Sequence, residues 1–202
     1  VNSEIRKKIK KIKKNKKKFS TKKQNKIISE LDFSLTRDQI KTLDEINKDL
    51  SSENKMFRLL QGDVGSGKTI VSLLSAFNTI NSGFQVAVMA PTEILARQHF
   101  LLAKKIFPKN IRIGLLSGKS PYRDKKVILD QLSKKQIDIV FGTHALFQKK
   151  VEFKKLGLII IDEQHKFGVR QRMNLSKKGG NNCDLLVMSA TPIPRTMLLA
   201  IY

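Results

Sequence analysis

From Phe33 onward, short apolar runs alternate with stretches whose apolar residues keep helical spacing. The runs fall at residues 57–60, 86–90, 111–116, 137–141, 156–161 and 185–188. They are rich in Val, Ile and Leu and nearly uninterrupted, which is the pattern of strands covered on both faces. Helices are predicted near residues 69–81, 92–107, 122–134 and 170–176. Strand and helix alternating at this spacing predict an α/β fold, a parallel sheet with helices on both faces. Such sheets bind ligands at the carboxyl ends of their strands.

Residues 1–30 differ in character. Ile5, Ile9 and Ile12 stand at i, i+4 and i+7 among lysines, predicting a basic helix with one narrow apolar stripe. Lys16-Lys17-Lys18 and Lys22-Lys23 then break the pattern. The expected organisation is a basic helical lead-in over 1–30, either a solvated linker or a surface for phosphates, followed by one domain over 31–202. The first residues, Val1-Asn2-Ser3-Glu4, carry neither an initiator Met nor an apolar signal region, so the chain is read as excised from a longer one. No apolar run approaches the roughly 18 residues of a membrane span, and no membrane partner is expected.

Between the first run and the helix after it lies Gly62-Asp63-Val64-Gly65-Ser66-Gly67-Lys68-Thr69, which satisfies G-x-x-x-x-G-K-[ST]. Three glycines let the backbone curl so that successive amides point at a polyphosphate. The following helix adds the partial positive charge of its N-terminus. Lys68 suits the β and γ phosphates, and the Thr69 hydroxyl suits Mg²⁺. At average residue frequencies the pattern arises by chance in about one chain in a hundred of this length. Here it also sits between a strand and a helix, as the chemistry requires.

A second signal follows the run at 156–161, which ends in Asp162-Glu163-Gln164-His165. A buried strand delivering two carboxylates at its tip fits a Mg-nucleotide site. Asp162 would hold the metal and Glu163 would orient and deprotonate the attacking water. His165 is either a solvated loop residue or a relay between nucleotide and a second site. His99, His144 and His165 show no metal-ligand spacing.

Charge sharpens the choice of partner. The formal net charge is +23, and residues 1–26 hold thirteen basic residues against Glu4 alone. Both parts of the chain are basic, as expected for a polyanionic partner such as nucleic acid. Lysine outnumbers arginine 31 to 9, however, a bias that genome composition alone can produce. The single cysteine, Cys183, excludes an internal disulfide and a cysteine zinc site and fits a reducing, cytoplasmic setting.

Several segments together resemble the superfamily 2 helicases. Phe33-Ser34-Leu35-Thr36-Arg37-Asp38-Gln39 is similar to their Q motif, and the glycine-rich loop to motif I. Ala90-Pro91-Thr92-Glu93-Ile94-Leu95-Ala96-Arg97-Gln98-His99 is similar to motif Ia. Asp162-Glu163-Gln164-His165 resembles motif II, and Ser189-Ala190-Thr191 motif III. Within that superfamily, Gly142-Thr143-His144-Ala145-Leu146 and the wording from Asp162 to Arg172 and from Ser189 to Thr196 resemble the RecG family of bacterial ATP-dependent DNA helicases. The related Mfd translocases have a second Glu after the acidic pair, where this chain has Gln164.

The resemblance implies a RecA-like motor domain that uses ATP and Mg²⁺ to drive movement on branched duplex DNA. Gln39 would read the adenine edge, with Phe33 near it or anchoring the domain. Thr92, Arg97, Ser117, Gly118 and Thr143 would face DNA phosphates, while Ser189 and Thr191 would couple nucleotide to strand movement. The implied partners include a second RecA-like domain and a wedge domain. Lys166 stands where the family usually has Arg, losing a planar bidentate donor. Three other readings stay open: a basic nucleic-acid-binding module with a vestigial ATP site, an Mfd-like translocase, and an unrelated phosphate-loop ATPase or GTPase.

Overall fold

The structure, a computed structural model, describes residues 12–118, 121–162 and 179–190. Six strands form one sheet: β1 (Phe57–Gln61), β2 (Gln85–Met89), β3 (Ile113–Leu116), β4 (Ile139–Gly142), β5 (Leu156–Ile161) and β6 (Asp184–Ser189). Their order across the sheet is β1-β6-β5-β2-β4-β3, and every neighbouring pair is parallel. All six strands therefore end at the same edge. The helices are α1 (Thr21–Ser29), α2 (Arg37–Ser51), α3 (Lys68–Asn81), α4 (Glu93–Ile106) and α5 (Tyr122–Ser133).

Alternate residues along each central strand enter opposite cores, as period-two side-chain geometry demands. Val86, Val88, Leu158, Ile160, Leu186 and Met188 pack with residues of α1 to α4. Ala87, Met89, Ile159, Ile161, Leu185 and Val187 face the other way, with Leu132 of α5 and Leu146. The central strands β2, β5 and β6 are buried throughout, in keeping with their unbroken apolar runs. The edge strands differ. β1 is half-buried, and β3 begins only at Ile113 with alternating burial, because an edge strand has one neighbour to cover it.

The lead-in departs from its expected form. Ile5 and Ile9 lie outside the described residues, and the helical prediction fails at Ile12, which is not helical. Residues 12–17 instead run extended against the end of α2, with Lys14 N–H donating to Glu53 O (2.8 Å) and Lys55 N–H to Ile12 O (3.0 Å). The Nζ atoms of Lys14 and Lys17 both lie 2.6 Å from Asp184 Oδ2, and none of the three side chains is exposed. Asp184 Oδ1 accepts from Met56 N–H (2.6 Å). Lys17 also sits 5.0 Å from the centre of the Phe84 ring. Burial pushes the Lys14 ammonium below the ordinary lysine value, against the upward pull of Asp184.

Further along, Ile27 of α1 is 2 % exposed and belongs to the main core. Gln24 Nε2 donates to Leu74 O of α3 and its Oε1 accepts from Asn47 of α2, whose own Oδ1 accepts from Asn78 of α3. Residues 12–29 thus bury Lys14, Lys17, Gln24 and Ile27 against the domain, while Lys13, Lys16, Lys18, Lys22, Lys23 and Lys26 stay exposed.

Candidate nucleotide and phosphate site

The loop between β1 and α3 is curled by Gly65 and Gly67, at φ +81° and +80°. Both values are left-handed, a region where glycine carries no Cβ penalty. Gly62 N–H donates to Ser189 O (3.3 Å), and Ser66 N–H to Asp63 O (3.1 Å). Lys68 folds its Nζ back over the loop, donating to Gly62 O (2.6 Å) and Asp63 O (2.7 Å). Val64 is 89 % exposed at the tip. Gly67 supplies no side-chain cap to α3, so the first-turn amides remain open to a ligand. Thr69 lies half-buried in that turn.

Gln39 anchors this loop. Thr36 and Gln39 form a reciprocal capping box at the start of α2, Thr36 Oγ1 accepting from Gln39 N–H and Gln39 Oε1 from Thr36 N–H. Gln39 Nε2 donates to Ser66 O (2.9 Å). Each amide terminus thus has one protein partner and one remaining bonding position, enough for an adenine edge. Phe33 is 52 % exposed, so it is not a buried anchor.

Asp162 follows the last residue of β5, its N–H bonded to Met89 O (2.8 Å). Because β1, β6 and β5 are adjacent and parallel, the glycine loop and Asp162 stand at one edge of the sheet with only β6 between them. Two strand spacings put them roughly 10 Å apart, room for a triphosphate. Ser189, fully buried, ends the intervening strand. Glu163, His165 and Thr191, and the helix expected near 170–176, lie outside the described residues.

One contact at this site escaped the sequence reading. His99 Nε2 lies 2.7 Å from Asp162 Oδ2, with both side chains nearly buried. His99 follows Ala96 and precedes Ala103 on the buried stripe of α4, at i, i+3 and i+7. A polar residue on such a stripe is the available signal, since a buried imidazole needs a partner.

The residues expected to face DNA lie beyond the other half of that edge, after β2, β3 and β4. Thr92 caps α4, accepting from Leu95 N–H, and keeps its hydroxyl hydrogen to donate. Thr92, Arg97 and Gly118 are exposed and Ser117 is half-buried. Thr143 is only 3 % exposed.

A curled lysine loop opposite a strand-tip aspartate, on a parallel sheet covered on both faces, defines a phosphate-loop nucleotide-binding domain of RecA-like fold. Residues 36–199 match the DEAD/DEAH box helicase family, and the chain belongs to it. The chain is 51 % identical over 172 residues to the ATP-dependent DNA helicase RecG of Streptococcus pneumoniae, covering 85 % of itself and 25 % of that protein. Against RecG of Thermotoga maritima it is 51 % identical over 187 residues, covering 92 % of itself and 24 % of the relative. Among solved structures, that of RecG bound to a three-way DNA junction superposes with a TM-score of 0.84 at 46 % identity, over 98 % of this chain and 27 % of the other. The DEAD-box helicase Mss116 bound to ssRNA and UDP-BeF gives 0.70 at 25 % identity, over 88 % of this chain and 40 % of its own. The chain spans about a quarter of the length of the RecG relatives. Among the described residues, no helix is long and apolar enough to cross a membrane.

Proposed function

We propose that the chain is the ATP-binding motor half of a RecG-type DNA helicase, which uses ATP hydrolysis to remodel branched duplex DNA in the bacterial cytoplasm. The observation that carries this reading is the shared sheet edge of the glycine loop and Asp162, across β6. The donor set there suits a hard cation: a carboxylate at a strand tip and a hydroxyl in the first turn of α3. Asp162 and Thr69 would hold Mg²⁺, which supplies charge neutralisation for the polyphosphate. The open amides of the glycine loop bind phosphate oxygens, and Lys68 exchanges its loop carbonyls for the β and γ phosphates. Gln39 reads adenine with its remaining donor and acceptor while still holding the loop, and Phe33 lies beside the base. Glu163 takes the proton of the attacking water.

Thr92, Arg97, Ser117 and Gly118 would contact DNA phosphates, positioning a strand without reading its sequence. Ser189 and Thr191, with His165, couple the nucleotide to that strand. A second RecA-like domain and a wedge domain in the same protein complete the machine. An arginine finger from that second domain would add roughly 10³–10⁵ in rate, as in other phosphate-loop enzymes.

The test is Glu163→Gln in the longer helicase, read by ATP binding and by duplex-stimulated hydrolysis. Binding should persist and hydrolysis should fall at least a hundredfold, about the lower range for losing a general base. Normal turnover would remove Glu163 from the mechanism. A protein whose ATP hydrolysis ignores DNA altogether would overturn the helicase reading.

A further inference from the structure

The imidazole on α4 has no role in the scheme above, yet it touches the metal carboxylate directly. We propose that His99 is a positioning residue for magnesium: its Nε2–H holds Asp162 Oδ2 so that Oδ1 is the oxygen left for the metal and its waters. This deepens the nucleotide-site reading and rests on it.

Three observations carry the assignment. The contact is short, at 2.7 Å, and a carboxylate can only accept, so Nε2 must be the donor. Asp162 makes no other side-chain hydrogen bond among the described residues, so among them only His99 fixes by hydrogen bonding which carboxylate oxygen faces the helix. Finally, His99 is itself fixed. It stands on the buried stripe between Ala96 and Ala103 of a helix whose first turn is capped by Thr92, with Phe100 packed edge-on against Phe141 of β4.

An oriented carboxylate pre-forms the metal site, whereas a rotating one must be ordered by each ion that binds. Partners of this kind are worth about 10- to 100-fold in metal affinity. The contact also has a consequence for the sheet. β5 and α4 are joined at the ligand itself, so a displacement of α4 reaches the metal through one hydrogen bond.

The test uses the 202-residue chain and titrates Mg²⁺ into a fixed concentration of a fluorescent ATP analogue, alongside a metal-free titration of the analogue. His99→Leu removes the donor and keeps the bulk. It should raise the Mg²⁺ concentration for half-maximal tightening at least tenfold and leave metal-free nucleotide affinity within twofold. His99→Gln, which keeps an N–H near the Nε2 position, should recover to within threefold of the parent. Equal effects of Leu and Gln would mean that only packing matters and would overturn the proposal, as would no effect of either. Should His99→Leu fail to fold, His99→Asn takes its place, because its shorter amide cannot reach Oδ2. Lys68→Ala run in parallel separates the two readings. If it leaves nucleotide binding intact the site assignment falls, whereas a failure confined to the His99 variants sinks only the positioning role.

Discussion

Gln39 and Ser66 are joined by a hydrogen bond of 2.9 Å from the side-chain amide to the carbonyl, across 27 residues of sequence. The same amide closes the capping box with Thr36, so one side chain starts α2 and steadies the phosphate loop. Gln39→Ala should cost about 1 kcal/mol of stability through the lost cap. Nucleotide affinity should fall as well, because Ser66 and Gly67 lose their brace. Thermal melting and calorimetry measure the two effects separately; an unchanged affinity would dissociate the brace from binding.

Among the described residues, Lys68 Nζ hydrogen-bonds to the carbonyls of Gly62 and Asp63 in its own loop. It is half-buried, and no part of either core depends on it. Lys68→Ala is therefore expected to melt within a degree or two of the parent while losing ATP binding in calorimetry. Retained affinity would contradict the phosphate role of this side chain.

Among the described residues, Asp184 is the carboxylate salt-bridged to both Lys14 and Lys17, and all three side chains are buried. Removing one member of such a group leaves uncompensated charge in the interior, at about 3–5 kcal/mol. Urea unfolding of Asp184→Ala should register a loss of that order. The triple replacement Lys14→Met, Lys17→Met, Asp184→Leu should recover most of it, because no buried charge is then left unpaired.

Cys183 is 1 % exposed, and burial pushes its thiol up to about 12. Thiol alkylation requires the thiolate, so iodoacetamide at pH 8 should leave the folded chain unmodified and label it fully in denaturant. Rapid labelling of the folded chain would place this sulfur at the surface.

How far the sequence anticipates the fold depends on where the partner of each residue lies. The runs of β2, β5 and β6 are unmistakable because both faces are covered, so no polar residue interrupts them. Helix α2 escaped because Arg37, Asp38, Lys41, Asp44, Glu45, Lys48 and Asp49 overwhelm the stripe of Leu43, Ile46 and Leu50. Its capping signature, Thr36 followed by Gln39, falls inside the segment similar to the Q motif. Lys14 and Lys17 read as solvated for a different reason: their counter-ion lies 170 and 167 residues away. The contact between His99 and Asp162, 63 residues apart, is equally non-local. The glycine loop and Asp162 were legible because each motif is contiguous, and parallel topology alone brings them to one edge.

Strand β6 has a lysine-gripped aspartate at its first residue and, at its last, the carbonyl that receives the Gly62 amide. Six extended residues make a strut about 17 Å long, with β1 and β5 clamped along its sides. Whatever pulls on the chain around Lys14 and Lys17 pulls on the far end of the strand whose last carbonyl holds the glycine loop, so anchorage and loop are mechanically in series.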